Sequence, residues 1–97
     1  MAGGIIEIVL PSVLQPLAAG NAVLAASVEG PVTVGTVLDL LSADYPVLAR
    51  RLRDETGALR RFVNIYVDGS EVRRLDGLET PVRGGQEILI IQSVAGG

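Results

Sequence analysis

The segment Phe62-Val63-Asn64-Ile65-Tyr66-Val67, followed by Asp68-Gly69 and then Ser70 to Arg73, constrains this chain more than any other stretch. Aspartate and glycine tolerate the positive φ of a tight two-residue hairpin turn, and β-branched and aromatic residues suit the strands beside it. A hairpin here commits the chain to a sheet. Ile5 to Leu10 offers another strand, with Ile6, Ile8 and Leu10 alternating against Glu7 and Val9. Val23 to Val28 offers a further one, with Asn21 near the turn before it, and the two read as an opening hairpin with a long loop. Pro11 and Pro16 bracket a stretch that cannot be central strand. Glu87 to Ile91 is apolar on both faces, the pattern of a strand buried in the middle of a sheet.

Between these strands lies one helical pattern. Thr33 is an N-cap candidate, and Val34, Val37, Leu38 and Leu41 follow at i, i+3, i+4 and i+7, with Asp39 and Ser42 off the stripe. Pro46 ends this helix near Asp44 or begins a new turn, because it lacks the donor a helix interior needs. Val47 to Leu52 continues as a short second helix or a single turn. Arg50 to Arg61 is polar, contains Gly57, and is expected to be a mobile connection; Leu75 to Leu78 and Gly84-Gly85 are expected turns. The order is strand, strand, helix, strand, strand, strand. It predicts an α+β domain over residues 1–97, a mixed sheet of about five strands on one main helix. With one Phe, two Tyr and no Trp, the core is expected to be aliphatic.

Composition narrows function further. The chain has no His, no Cys and no Lys, its eight basic residues all being Arg. It therefore lacks the commonest general base, the best soft nucleophile and the Schiff-base amine. Disulfides and thiolate metal sites are excluded, and no metal-ligand spacing is present. A net charge of −3 and a pI near 4.7 disfavour nucleic-acid binding, as does the lack of an aromatic stacking platform. Mean hydropathy is +0.45, yet the longest apolar runs, such as Ile88 to Ile91, fall far short of the ~18–20 residues of a membrane span. Met1-Ala2-Gly3-Gly4 has no basic flank of the signal-peptide kind, so a soluble cytoplasmic protein is expected. No role is assigned to those four residues.

The C-terminal Gly96-Gly97 has two readings. Small residues are tolerated at a frayed terminus. Mechanically, a tail without Cβ atoms can enter a narrow active-site channel. Extended, Val94 to Gly97 reaches at most ~14 Å, enough to carry a terminal carboxylate into another protein. Gly84-Gly85 is not a phosphate loop, since it precedes a strand and no Lys follows. Arg50, Arg51, Arg53, Arg60 and Arg61 form a basic cluster diluted by Asp54 and Glu55. It is either a solvated face or a docking patch for an acidic partner. Phe62, Asn64 and Tyr66 share a strand face opposite Val63, Ile65 and Val67; one face covers the helix and the other is a possible partner surface.

The element order ending in Gly-Gly resembles the ubiquitin-like β-grasp sulfur carriers of the ThiS/MoaD family, from about Ile5 to Gly97. The stretch RFVNIYVDGSEVR (Arg61 to Arg73) and the ending VAGG are similar to its CysO-like branch, which serves cysteine biosynthesis. The resemblance implies a protein co-substrate rather than an enzyme. A partner adenylylating E1-like enzyme of the MoeB/ThiF type, using ATP and Mg²⁺, would join the Gly97 carboxylate to AMP. A sulfur donor or sulfurtransferase would displace AMP and leave a thiocarboxylate. A PLP-dependent cysteine synthase would take the sulfur, and a metallopeptidase would release cysteine and regenerate the carrier. Gly97 carries the sulfur, Gly96 keeps the tail slender, and Val94 and Ala95 contact the channel. The resemblance leaves three alternatives: thiamine or a secondary metabolite as the sulfur's destination, the small subunit of molybdopterin synthase, and a ubiquitin-like protein modifier.

Overall fold

In the computed structural model, which describes residues 3–93, the opening hairpin forms as its alternation demands. Strands β1 (Gly3–Val9) and β2 (Val23–Glu29) pair antiparallel from Gly3↔Glu29 to Val9↔Val23. Ile6, Ile8, Leu24, Ala26 and Val28 turn to the core, while Ile5, Glu7, Val23, Ala25 and Ser27 stay exposed. Pro16 sits in the first turn of a short 3-10 helix, Gln15–Ala18, which buries Ala18. The two-residue β3 (Val32–Thr33) leads into α1 (Val34–Asp44). The Thr33 hydroxyl accepts the Thr36 N–H at 3.1 Å, a cap worth about 1 kcal/mol. Val34, Val37, Leu38 and Leu41 form the buried stripe. Pro46 then opens α2 (Pro46–Leu52), at a position where a missing N–H costs nothing. The short second helix therefore forms, and it buries Leu48 and Leu52.

β4 (Val63–Val67) turns through Asp68 (φ 47°) and Gly69 (φ 88°) into β5 (Ser70–Glu71). The return strand is two residues long rather than four. Val72 leaves the ladder for a 3-10 turn because its side chain is fully buried. β6 (Pro81–Val82) pairs with β3, a second ladder too short to carry any periodicity in sequence. β7 (Glu87–Gln92) runs down the middle of the main sheet, parallel to β1 and antiparallel to β4. The order β2-β1-β7-β4-β5 is a five-stranded mixed sheet wrapped on α1, the β-grasp arrangement. Every buried apolar side chain among the described residues is Ala, Val, Leu or Ile, as the scarcity of aromatics requires.

Two expectations are corrected. β7 is central in the sheet but covered on one face only. Ile88 and Ile90 are fully buried, Leu89 is half-buried and Ile91 is 39% exposed. The helices lie on a single side, so centrality in the ladder does not imply burial on both faces. The stretch Arg50–Arg61 is not a mobile connection: its first three residues belong to α2 and the rest is a tied loop. Arg53 donates to the Gly57 carbonyl at 2.9 Å and to Asp39 on α1 at 2.7 Å. The Asp54 carboxylate accepts from the Thr56 N–H and hydroxyl and from the Ala58 N–H, and Arg60 donates to the Arg50 carbonyl. Polar composition signalled exposure here, but these polar groups satisfy one another.

The Asp68-Gly69 turn is anchored as well as tight. The Asp68 carboxylate accepts the Glu87 N–H at 3.0 Å and the Gln86 side-chain amide at 3.1 Å, fastening the β4–β5 turn to the start of β7. These donors, the Glu87 N–H first, hold its pKa below the ordinary 3.8. A lowered folded-state pKa contributes stability that is present above the ordinary aspartate value and lost as pH falls through the lowered one. Asp68→Asn should therefore flatten the decline of the urea midpoint below about pH 4. Identical midpoint–pH curves for the two proteins would contradict this.

Candidate functional site

The uncovered face of the sheet is built by the side chains the helices leave out. Val63, Ile65 and Val67 are buried beneath α1 and α2, which assigns Asn64 and Tyr66 to the open face. The registers then place Val23, Val9, Leu89, Tyr66 and Glu71 in one row across all five strands. Ile91 lies beside Asn64 on the C-terminal side of that row. On the other side Glu7 is the direct neighbour of Glu87 on the adjacent strand. The face is thus apolar toward the end of β7 and acidic away from it.

Basic groups gather where β7 ends. The Ser93 N–H donates to the Phe62 carbonyl at 2.8 Å, extending the β7–β4 ladder one step beyond Gln92. Phe62 precedes β4, half-buried and packed on the core. Arg73 holds this corner: its guanidinium donates to the Val63 carbonyl at 2.7 Å, the Asn64 side chain at 2.8 Å and the Arg60 carbonyl at 2.8 Å. Arg60 is turned back onto α2 by its bond to Arg50, whereas Arg61 is exposed. Asn64 and Tyr66 thus share the open face, Asn64 opposite Ile91 and Tyr66 two residues further along β4 opposite Leu89, whereas Phe62 departs from the expected shared face and packs on the core, and the two arginines differ in freedom. Sequence reasoning missed Arg73, whose partners lie 9 to 13 residues away. Nothing local in the sequence announces such a clamp.

Val94, Ala95, Gly96 and Gly97 lie outside the described residues. Among the described residues, no three acidic side chains come together as a metal-binding group. No helix there is long and apolar enough to cross a membrane. A cleft lined by Tyr66, Gly69, Ser70, Glu71, Arg74 and Leu75 opens beside the face, without an enclosed hydrophobic pocket that would raise a carboxyl pKa.

A mixed sheet gripping one long helix, with an apolar row on its free face and its last strand at the centre, defines a ubiquitin-like β-grasp protein. The chain belongs to the ThiS family, which it matches over residues 13–97. It is similar to the sulfur carrier protein CysO of Mycobacterium tuberculosis, with 37% identity over 94 residues, 95% of this chain and 98% of that one. It is also similar to the small archaeal modifier protein 3 of Haloferax volcanii, 40% identical over 70 residues, covering 72% and 75% of the two chains. Among solved structures, a chain of the Amycolatopsis orientalis BexX/CysO complex superposes with a TM-score of 0.84 at 30% identity, covering 95% of this chain and 99% of that one.

Proposed function

We propose that this protein is a CysO-type sulfur carrier whose working group is the Gly97 carboxylate. The observation that carries the reading is the family match running through residue 97, supported by the near full-length likeness to mycobacterial CysO. A carboxylate is a poor electrophile, so an adenylylating partner using ATP and Mg²⁺ converts it to an acyl adenylate with release of pyrophosphate. A sulfur donor then attacks the carbonyl carbon, AMP leaves, and a thiocarboxylate remains. Its soft sulfur is the nucleophile delivered to a PLP-dependent cysteine synthase in the cytoplasm. A metallopeptidase then frees cysteine. No side chain of the carrier need react, which accords with a chain lacking His, Cys and Lys. Gly96 keeps the tail slender, and Val94 and Ala95 line up against the partner's channel.

In this reading the open face docks the activating enzyme. The apolar row supplies contact area next to the tail's root, and Arg61 and the Arg73 corner favour a partner with acidic rims, raising the encounter rate more than the affinity. Intact mass spectrometry tests the chemistry. Incubation with ATP, Mg²⁺, sulfide and the activating enzyme of the native cell should add the mass difference of sulfur replacing oxygen, confined to the C-terminal peptide. A tail that stays a carboxylate with every adenylylating enzyme of that cell would overturn the proposal. The likeness to an archaeal modifier protein favours a second reading, in which the same activated carbonyl is transferred to an amine. That reading requires Gly97 in an amide bond to a lysine of another protein, which peptide mapping detects.

A further inference from the structure

The two edges of the main sheet differ. At one, β5 is two residues long and the chain at once turns away through Val72–Arg74, a short edge of the protected kind. At the other, β2 runs for seven residues, Val-Leu-Ala-Ala-Ser-Val-Glu, with no proline, no positive charge and one acid at its end. The hydrogen-bond phase is fixed by the Leu10 N–H, which donates to the Ala22 carbonyl at 2.8 Å. Carrying that phase along the register gives hydrogen-bonded pairs at Ile8↔Leu24, Ile6↔Ala26 and Gly4↔Val28. The amides and carbonyls of Val23, Ala25, Ser27 and Glu29 therefore point away from the sheet. None of them has a backbone partner among the described residues. Alongside runs a cleft of about 400 Å³ between β2 and α1, lined by Leu24, Ala26, Leu41 and Tyr45 and flanked by Leu40, itself 45% exposed.

We propose that this edge is a self-association site, at which β2 pairs antiparallel with β2 of a second copy about a two-fold axis through Ala26. That register pairs all seven residues of the strand. Val23 then faces the copy's Glu29 and Ala25 faces its Ser27, and these are the residues whose backbone groups point outward on both chains. Leu24 faces Val28 and Ala26 faces itself on the core side. No like charges are opposed, since the single acid of each strand meets a valine. Ala26 at the axis leaves room for the two α1 helices to bring their Leu40 side chains toward the partner's cleft. A shift of the pairing by one residue would set outward amides against inward ones, so the alternatives are few. The product is a continuous ten-stranded sheet in which the two β7 strands run in opposite directions, and the apolar row around Leu89 and Tyr66 stays uncovered. An interface one strand and one helix flank wide falls in the weak class, below about 1,200 Å², so it is populated at high protein concentration.

Sedimentation equilibrium of the full chain, from about 20 µM to about 1 mM, should show the mass rising from 10.1 kDa toward twice that value. In the same range, amide exchange should show Val23, Ala25, Ser27 and Glu29 becoming protected, while Leu24, Ala26 and Val28 are protected at every concentration. Ala25→Lys combined with Ser27→Lys, both at exposed positions, opposes like charges at two pairs. It should abolish the rise in mass without altering the circular dichroism spectrum. Ala25→Pro, which removes an outward donor and no β1–β2 bond, should do the same. A chain that stays monomeric at about 1 mM with the odd-numbered amides exchanging freely would overturn the proposal. So would a dimer that survives both variants, or protection of those amides only when a different protein is added.

Discussion

A chain lengthened by one tryptophan beyond Gly97 is expected to fold as the parent does and to accept no AMP. The addition lies past Ser93, whose N–H closes the β7–β4 ladder on the Phe62 carbonyl, and past every residue of the core. Surface changes away from caps and cores stay within about 0.5 kcal/mol, so the urea midpoint should not move. Activation is a different matter, because the reacting carboxylate is displaced by a whole residue and carries an indole where a glycine belongs. A misplacement of about 1 Å can already cost about 100-fold in rate, and this one is several times larger. Pyrophosphate exchange with the activating enzyme measures the outcome directly. Gly96→Val grades the same effect: the carboxylate stays the terminal group but a branched Cβ stands one residue before it. Exchange at the parental rate in the extended chain would sink the carrier reading, since a protein whose last carbonyl is not the working group has no reason to be sensitive to an added residue.

The tail is read from sequence alone, because the chemistry proposed for it uses main-chain atoms and the absence of side chains, and Val94 to Gly97 lie outside the described residues. The helix stripe from Val34 to Leu41, its Thr33 cap and the Asp68-Gly69 turn were legible for a related reason: each is decided by residues within a few positions of one another. Features that depend on distant segments were not. The alternation of Val63, Ile65 and Val67 with Asn64 and Tyr66 gave two faces, but only the position of the helices says which is covered. Ile88 to Ile91 looked buried throughout, and half of that apolar content instead forms the free face around Leu89 and Ile91. That excess makes physical sense on a docking surface, where an apolar row is stabilising only once a partner covers it. Arg73 reads in sequence only as the end of the return strand and Arg53 only as part of a basic cluster, yet Arg73 locks a corner and the Arg53–Asp39 pair a loop.

The glycines near the two ends of the chain furnish the sharpest case. Gly3-Gly4 had no assigned role and Gly84-Gly85 read only as a turn, but Gly4 and Gly84 pack backbone against backbone. A Cβ added at Gly84 would sit 2.6 Å from the Gly4 Cα and 2.9 Å from its carbonyl carbon. One at Gly4 would sit 2.9 Å from the Gly84 Cα. The obstacle on each side is main chain, so no rotamer change relieves it. Gly84→Ala must push apart the turn and β1 just where the Gly85 N–H donates to the Ile5 carbonyl at 2.8 Å and the Glu7 N–H to the Gln86 carbonyl at 3.3 Å. Overpacking of this kind costs about 1–3 kcal/mol, and a rigid backbone contact belongs at the upper end. For a domain this size that is a fall in Tm of roughly 10–20 °C. Gly4→Ala should cost somewhat less, and the double variant less than the sum, because both substitutions open the same contact. Gly84→Ala unfolding within about 0.5 kcal/mol of the parent would show that the approach is not tight. The bonds at stake join β1 to the start of β7. The parallel pairing that they initiate aims β7, the last strand before the terminus proposed to be activated. A loosened Gly4–Gly84 contact should therefore also slow activation, even at temperatures where the chain remains folded.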